Sequence, residues 1–393
     1  MTKRKRNIDE LREASNHLRY EFDMLMLTAR TMFSGVLGQG ALNNATLESF
    51  VIHVRNLIYF LYAAKPKQDH VIADDYFDSS DEWTNVRLQK SQDLQKAENR
   101  SNKEVTHLSY DRIKITKKMK QWTYVDIANE IAKAFNVFLD KVDKAKLGKE
   151  WFLEKLIDYE KEIRYQDPPP NGEREYSVLI GSIPVLISAP HGAVHSRMKD
   201  EKLTLKEEDE YTSSLAILLG ELTGSHVIYA RRKSDTDPNS AGDSKYKDEI
   251  KAICSEQKIK FVIDLHGMNK DRETALQLGT NNGTSCPEQL PILETVLNRH
   301  QFSRNAEDHL QRYTAEGTFQ GSGNGTINYF VSQSLKIPSI QIEIIAQNRI
   351  PIRRNDATLY LKRKEEFRGN PIGIRKTIDA LHDFVDEVNE RFI

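Results

Sequence analysis

The chain has 393 residues, with 57 Lys and Arg against 58 Asp and Glu, which gives a formal net charge of −1. Single hydrophobic cores rarely grow past about 250–300 residues, so two domains are expected. The balanced charge does not indicate a polyanion partner, and the presence of only 2 cysteines argues against a disulfide scaffold or a cysteine-based zinc site. No apolar stretch approaches the roughly 20 residues of a membrane span, and the basic start lacks an apolar signal region. We therefore expect a cytoplasmic protein without a membrane segment.

The first part of the chain has apolar residues at helical spacing and few glycines. Helices are predicted, in chain order, over Ile8–Phe33, Ala41–Ala64, Asp81–Glu98, Asn102–Ile115 and Trp122–Val142. Strand patterns are absent from this part. An all-α domain is therefore predicted over residues 1–150.

The pattern changes after this domain. Residues 151–172 are predicted to be a linker, because three consecutive prolines before Asn171 remove backbone donors and fix φ. Residues 173–393 then alternate between short β-branched runs and helical segments. The predicted strands are Tyr176–Ile180, Val185–Ser188, His226–Ala230, Phe261–Leu265, Ala275–Leu278 and Ser339–Ile345, and the predicted helices are Glu208–Thr223, Lys245–Glu256, Thr326–Leu335 and Gly373–Phe392. This alternation predicts an α/β domain with a mainly parallel sheet.

Chemically active side chains lie at the ends of several predicted strands. His191 and His266 each follow an apolar run and precede a glycine, and Glu343 lies inside an otherwise apolar strand. Active sites of open α/β sheets lie at the carboxyl ends of the strands, so these side chains are expected to converge. Two imidazoles and one carboxylate form the three-ligand zinc site of hydrolases, and a further carboxylate then moves the protons. The sequence therefore predicts a zinc hydrolase site with Glu343 as the general base.

The acidic ligand is expected in the run Glu207–Glu210, where Asp209 is favoured and Glu208 is the alternative. Asp264 lies two residues before His266, on the same face of a strand, and is expected to orient a ligand. Ordinary explanations stand beside these. A strand-end histidine is more often structural, and an acidic run is stabilised by the dipole at a helix start.

Several short motifs resemble, in this order, the N-formylglutamate amidohydrolase family over about residues 175–355. They are Ala189-Pro-His191-Gly, Glu208-Asp209-Glu-Tyr-Thr212, Asp237-Pro-Asn239, Asp264-Leu-His-Gly267 and Gln341-Ile-Glu343-Ile. The family has a fold similar to that of zinc carboxypeptidases. The resemblance implies a zinc ion held by His191, His266 and the acidic position at Asp209, with Glu343 as general base. It also implies hydrolysis of an amide bond next to a carboxylate, as in an N-acyl amino acid or a peptide.

Candidate substrate-binding residues lie close to these motifs. An anionic substrate favours arginine, whose guanidinium matches a carboxylate in two places, and Arg197 and Arg349 are the candidates. His195 and Asn239 are candidate donors to a substrate carbonyl group. The glycine-rich stretch 317–325 is expected to form a flexible loop over the substrate.

In the helical part, Arg100 and His107 resemble the signature of HEPN domains, which often act as metal-independent ribonucleases or as dimerising modules. The resemblance implies His107 as a general acid/base and Arg100 as the group that stabilises a phosphate transition state. It also implies nucleic acid as a partner, or a homodimer through this domain. Ser101 departs from the residues typical of active members. A structural helix explains the two residues equally simply.

Three functions remain open from the sequence. The first is a zinc amidohydrolase with a helical appendage. The alternative is a HEPN-type ribonuclease or toxin-like effector that is regulated by the C-terminal domain. The third is a binding module with a degenerate site, which the absence of bound zinc would favour.

Overall fold

The structure is a computed structural model that describes residues 4–102, 110, 113, 116, 121–199, 202–240, 242, 244–317, 319–357 and 365–391. The chain divides into two compact units, Met1–Trp151 and Phe152–Ile393. The stretch predicted as a linker, 151–172, contains a helix over Phe152–Lys161 that belongs to the second unit, because its buried residues Phe152 and Leu156 are part of that unit's core. None of the helices that the structure describes is long and apolar enough to cross a membrane.

Every secondary-structure element that the structure describes in the first unit is a helix, as predicted. Its helices are α1 (Ile8–Ser34), α2 (Ala41–Tyr62), α3 (Ser80–Val86), α4 (Gln92–Arg100) and α5 (Tyr124–Lys141). The single helix predicted over Asp81–Glu98 is instead α3 and α4, since the backbone is extended at Arg87 and the Ser91 side chain caps α4 by accepting a hydrogen bond from the Leu94 amide. Most of the helix predicted over Asn102–Ile115 lies outside the described residues.

The second unit contains a mixed sheet of seven strands in the order β1-β5-β2-β6-β9-β7-β8. The strands are β1 (Tyr176–Leu179), β2 (Ile183–Ala189), β5 (Ser225–Ala230), β6 (Phe261–Met268), β7 (Leu276–Gly279), β8 (Tyr313–Thr314) and β9 (Ser339–Ile345). The central strands β5, β2, β6 and β9 are parallel, whereas β1 and β7 run antiparallel to their neighbours β5 and β9. The predicted mainly parallel α/β sheet is thus confirmed. Strands β3 (His195–Lys199) and β4 (Lys202–Lys206) form a separate antiparallel ribbon that sequence analysis missed.

Helices cover both faces of this sheet. They are α6 (Phe152–Lys161), α7 (Thr212–Thr223), α8 (Lys245–Glu256), α9 (Leu290–Arg299), the short α10 (Ile327–Tyr329) and α11 (Pro371–Glu390). Val185 and Ile187 of β2 are buried in one cluster with α7 and α11, while Leu186 of the same strand is buried in a second cluster with α8. Burial on both faces explains why the central strands are almost continuously apolar.

The helix predicted over Glu208–Thr223 begins only at Thr212. Tyr211 before it has a φ of 66°, in the left-handed region, which breaks the helix on its N-terminal side. The residues before it form a turn, in which the Thr212 amide donates to the Asp209 carbonyl group at 3.1 Å and the Asp209 amide donates to the His191 carbonyl group at 2.7 Å. Because of this turn, Asp209 lies beside the end of β2 instead of on a helix surface.

Gly192 is required by close packing against α7. An ideal Cβ atom on Gly192 would lie 1.8 Å from Oγ of Ser213, a buried hydroxyl that donates to the Ala230 carbonyl group at 2.8 Å. We expect Gly192→Ala to lower the free energy of unfolding by about 1–3 kcal/mol, since overpacking forces backbone or side-chain shifts. Denaturant unfolding measures this loss. The control is Gly323→Ala, whose Cβ would meet only Thr326 Cγ2 at 3.4 Å; an equal loss in both variants would contradict the prediction.

Candidate active site and metal centre

Three potential ligand atoms form a triangle at the carboxyl ends of β2 and β6. His191 Nδ1 and His266 Nδ1 lie 3.2 Å apart, and each lies 3.6 Å from Asp209 Oδ2. Both histidines are buried. The strand ends bring the two imidazoles together, and the turn before α7 adds the carboxylate.

Each histidine is held from its other ring nitrogen by a buried aspartate. His191 Nε2 lies 2.9 Å from Asp237 Oδ1, and His266 Nε2 lies 2.9 Å from Asp264 Oδ2. Asp264 in turn accepts a hydrogen bond from the Ser188 hydroxyl at 2.9 Å. Each carboxylate accepts a hydrogen bond from Nε2–H, so in the neutral imidazole Nδ1 is the nitrogen that carries the free lone pair, and both Nδ1 atoms are corners of the triangle.

The donor set and its dimensions fit zinc. Ligands placed tetrahedrally at about 2.0–2.1 Å from zinc lie roughly 3.3–3.4 Å from one another, close to the separations of 3.2 and 3.6 Å in the triangle. Burial alone would lower the pKa of His266, but the carboxylates of Asp264 and Asp209 outweigh burial and raise it. The carboxylates around His191 and His266 therefore favour a positive charge between the two imidazoles, and a bound divalent cation would supply this charge.

Zinc affinity is expected to depend on the aspartates that hold the imidazoles. Asp264→Asn replaces the acceptor of His266 Nε2 and is expected to weaken zinc binding by about 10–100-fold, the usual effect of losing an outer partner of a ligand. Competition with a chelator measures this affinity. Asp383→Asn is a matched control, because Asp383 also pairs with a histidine, at 2.8 Å from His300 Nε2, but outside the cavity. An equally weak affinity in the control, or an unchanged one in Asp264→Asn, would count against the role of Asp264.

Glu343 lies on β9 directly opposite His266 on β6. Its side chain lines the same cavity as the triangle, and Oε1 accepts a hydrogen bond from Gln341 Nε2 at 2.9 Å. Burial raises the pKa of Glu343, while the nearby His266 opposes this shift. A carboxylate with a raised pKa is suited to accept a proton from water and then donate it, because efficient general catalysts titrate near the working pH.

The acidic run 207–210 separates into different roles. Asp209 provides the carboxylate of the triangle, and its Oδ2 also accepts a hydrogen bond from the Gly267 amide at 3.1 Å. Glu210 points elsewhere and forms an ion pair with Arg353 at 2.9 Å. Glu208 is buried but belongs to neither of the two groups that could hold a metal ion, which are His191–Asp209–His266 and His191–His195–Asp237. The geometry therefore favours Asp209 over Glu208 as the third ligand.

A cavity of about 710 Å³ opens above the triangle. The β3–β4 ribbon provides one wall through Arg197 and Lys206. The segment 319–326, which overlaps the glycine-rich stretch 317–325 predicted to cover the substrate, provides another. Arg272, after β6, stacks over the Phe319 ring of this segment with its Cζ 4.9 Å from the ring centroid. The cavity thus combines ligand atoms, a buried carboxylate and cationic side chains.

Among the predicted substrate-binding residues, Arg197, His195 and Asn239 line the cavity. Arg197 also donates to Asp237 through Nε. His195 is 3% exposed, stacks on His191 with ring centroids 4.1 Å apart, and neither of its ring nitrogens has a hydrogen-bond partner in the described structure. Burial and the neighbouring His191 lower its pKa to about 3, so the imidazole is neutral.

Asn239 and Arg349 are occupied by contacts within the protein. Asn239 Oδ1 accepts a hydrogen bond from the Ile327 amide at 2.7 Å, and its backbone amide donates to Asp237 Oδ1 at 2.8 Å. Arg349, predicted to bind a substrate carboxylate, does not line the cavity. Its guanidinium donates to backbone carbonyl groups, including that of Met268 at 2.9 Å. Arg349 is therefore not placed to pair with a molecule bound in this cavity.

The residues predicted for nuclease chemistry do not form a described site. Arg100 stacks over the Trp122 ring, with Cζ 4.1 Å from the centroid, and donates to the Gln121 carbonyl group at 2.9 Å. His107 lies outside the described residues. The ribonuclease hypothesis therefore remains a prediction from the sequence.

Three functional candidates were not recognisable as such in the sequence. Asp237 appeared there only within a motif, and its role depends on a contact with His191 across 46 positions. Gln341 lies two residues before Glu343 on the same strand face, a spacing that was available as a signal. Arg272 gave no signal, because its position depends on the fold of segment 319–326.

Comparison with known proteins does not assign a family, since neither any family model nor any curated protein matches the chain. Solved structures match at low identity over its C-terminal part. An N-formylglutamate amidohydrolase from Ralstonia eutropha JMP134 has 12% identity and a TM-score of 0.38, covering 56% of this chain and 99% of its own. A bacteriophage poly-gamma-glutamate hydrolase has 15% identity and a TM-score of 0.32, covering 56% and 92%. A metallo-carboxypeptidase from Pseudomonas aeruginosa has 12% identity and a TM-score of 0.31, covering 60% and 68%. Scores of this size do not decide a function, which has to be argued from the site.

Proposed function

We propose that this chain is a zinc-dependent amidohydrolase that cleaves an amide bond of an N-acyl amino acid or a peptide-like substrate carrying a carboxylate. The observation that carries the proposal is the triangle of His191 Nδ1, His266 Nδ1 and Asp209 Oδ2, with sides of 3.2 and 3.6 Å. Buried Glu343 lines the same cavity. Two imidazoles and one carboxylate with an open fourth position form a three-ligand catalytic zinc site, and a further carboxylate can serve as its general base.

Each side chain has a distinct task in this mechanism. His191, His266 and Asp209 would hold the zinc ion. When bound, zinc polarises a carbonyl group and lowers the pKa of water to about 7. Glu343 accepts the proton of the attacking water and donates it to the leaving nitrogen, and Gln341 holds its carboxylate in place through the hydrogen bond to Oε1.

Substrate recognition follows from the polar atoms that remain available in the cavity. Arg272 and Arg197 are the cations placed to pair with a substrate carboxylate, in which Arg272 replaces the predicted Arg349. Within the described residues, both ring nitrogens of His195 and Oε1 of Gln341 are buried and have no hydrogen-bond partner. Such atoms cost about 1–3 kcal/mol each when left without a hydrogen bond, so an amide substrate that pairs with them gains affinity.

Metal analysis combined with a substrate screen tests the proposal. We expect about one zinc ion per chain, as in three-ligand catalytic sites, and hydrolysis of some N-acyl amino acids or short peptides in a panel that includes uncharged amides. Removal of the metal by a chelator should abolish hydrolysis, and addition of zinc should restore it. A protein that does not bind added zinc contradicts the proposal.

A further inference from the structure

Arg349 is a buried cation without a carboxylate partner in the described part of the chain. It lies in the short turn that follows β9 and is 6% exposed. Its guanidinium donates to backbone carbonyl groups instead: Nε to Glu210 at 2.8 Å, and Nη1 to Met268 at 2.9 Å and to Ile344 at 2.6 Å. A buried cation that binds only carbonyl dipoles is costly, so a role beyond stability is expected.

Each of these carbonyl groups lies next to a residue of the site. Glu210 directly follows Asp209, Met268 lies two residues after His266, and Ile344 directly follows Glu343. These segments are remote in the sequence and meet at one guanidinium. Because the guanidinium is planar and its N–H directions are fixed, it sets the separation of all three segments.

We propose that Arg349 is a positioning residue that holds the acidic ligand, one histidine ligand and the general base at a fixed separation. This inference rests on the proposed zinc function. Gly267 shows how close the contact is, since a Cβ atom there would lie 2.5 Å from Arg349 Cζ. The amide of Gly267 donates to Asp209 Oδ2 at 3.1 Å, and Gly267 directly follows His266 in the chain. The guanidinium therefore packs against the backbone that connects these two proposed zinc ligands.

Arg349→Lys tests this role, because lysine keeps the charge but cannot donate to these carbonyl groups from one plane. We expect zinc affinity, measured against a chelator, to fall by about 10–100-fold, as when other outer supports of a ligand are lost. The visible spectrum of the cobalt-substituted protein should also change. Arg354→Lys is the matched control, since Arg354 donates to the Ile163 carbonyl group at 2.8 Å but contacts none of the three site segments. The control is expected to keep the zinc affinity and cobalt spectrum of the wild type.

The outcomes separate this inference from the proposed function. If the wild type binds no zinc, the proposed function fails and the role of Arg349 fails with it. If the wild type binds zinc and Arg349→Lys retains its affinity and cobalt spectrum, only the positioning role is overturned. Should Arg349→Lys not fold, Gly267→Ala displaces the guanidinium while keeping its charge, and unchanged zinc affinity in that variant overturns the role equally.

A second, independent inference concerns a cavity of about 410 Å³ in the helical unit. Small-molecule pockets have volumes of about 300–1,000 Å³, so its size suits a small ligand. Its lining residues come from α1, α2 and the chain that follows α2. They include Leu18, Glu21, Arg55, Asn56 and Phe60.

Glu21 provides a fixed negative charge in this cavity. Its Oε2 lies 2.7 Å from His53 Nδ1 and accepts a hydrogen bond from Asn56 Nδ2 at 3.0 Å. Burial opposes ionisation, but the contacts with His53 and Asn56 outweigh it and lower the pKa of Glu21. The carboxylate is therefore charged near neutral pH, and both contacts are made through one of its oxygens.

Arg55, an exposed side chain of α2, lines the same cavity. Within the described part of the chain, its guanidinium forms no hydrogen bond or ion pair, and Glu21 pairs with no arginine or lysine. The two opposite charges thus share one cavity without neutralising each other. Leu18 and Phe60 supply a buried apolar wall beside them.

We infer that this cavity binds a small zwitterion with an apolar side chain, such as an α-amino acid. The ligand's ammonium group would pair with Glu21, its carboxylate with Arg55, and its side chain with Leu18 and Phe60. Charge-assisted hydrogen bonds at both ends give such a ligand its orientation. A ligand that lacks either charge leaves one protein charge unpaired and is expected to bind more weakly.

Calorimetry on the full chain measures the affinity for L-leucine and for two analogues that each lack one charge. Isoamylamine lacks the carboxylate, and N-acetyl-L-leucine lacks the ammonium group. Leucine is expected to bind at least about tenfold more tightly than either analogue, and Arg55→Met should weaken its binding by a similar factor. Arg30→Met, at an exposed arginine of α1 outside the cavity, is the control. Equal affinities for the three compounds, no binding of leucine, or binding unchanged in Arg55→Met would each overturn the inference.

Discussion

Replacing Glu343 with glutamine is expected to lower kcat by about 100- to 10,000-fold, the range that general acid–base catalysis contributes. The carboxamide has nearly the same shape and can still hydrogen-bond with Gln341, but it cannot take a proton from water. Zinc content should stay at the wild-type level, because the triangle consists of His191, His266 and Asp209. KM should change little, since the substitution removes an interaction of the transition state.

Zinc analysis and steady-state kinetics on one substrate from the screen measure these effects together. Glu316→Gln is the control for loss of a carboxylate, because the Glu316 side chain is 90% exposed and does not line the cavity. A Glu343→Gln enzyme with kcat within a few-fold of wild type would show that another group moves the proton. Loss of zinc in this variant would instead place Glu343 among the ligands.

Replacing His266 with alanine is expected to remove both zinc and activity. Zinc affinity should fall by more than the about 10–100-fold loss expected when a residue that only orients a ligand is replaced, because here a direct ligand is removed. The substitution also leaves Asp264 buried, with the Ser188 hydroxyl as its remaining side-chain partner. Stability is therefore expected to fall as well, since a buried carboxylate that loses its partner is costly.

The measurement has to separate metal loss from unfolding. Circular dichroism and thermal melting establish whether His266→Ala is folded, and His191→Ala should show the same zinc deficit. His309→Ala is the control, because His309 is exposed and lies outside the cavity. A folded His266→Ala protein that retains zinc at wild-type affinity would exclude the triangle as the metal site.

The main elements of the second unit followed from local patterns. The apolar runs around Val185, Phe261 and Ile340 predicted β2, β6 and β9, because burial on both faces leaves a continuous apolar sequence. Strand-end residues were also predictable as neighbours, since parallel strands place their carboxyl ends at one edge. The structure brings His191, His266 and Glu343 to that edge.

Local patterns failed where a side chain has its partner far away in the sequence. The start of α7 was predicted too early, because the left-handed backbone at Tyr211 ends the helix on its N-terminal side. Tyr211 is also held by tertiary contacts, since its hydroxyl donates to the Ile352 carbonyl group at 2.7 Å. The β3–β4 ribbon carries exposed Leu203 and Leu205 and is too short and too irregular to show a clear period.

The sequence by itself determined the helical and sheet units, the edge of the sheet where the candidate site lies, and the residue types on which the proposed zinc hydrolysis rests. These follow from hydrophobic periodicity and strand direction, which are encoded locally. Only the tertiary structure decided which partner each polar side chain contacts. It placed Asp237 behind His191 and turned Arg349 from the expected substrate site towards backbone carbonyl groups. Such assignments depend on hydrogen bonds and burial between remote segments, which come into being only when the chain is folded.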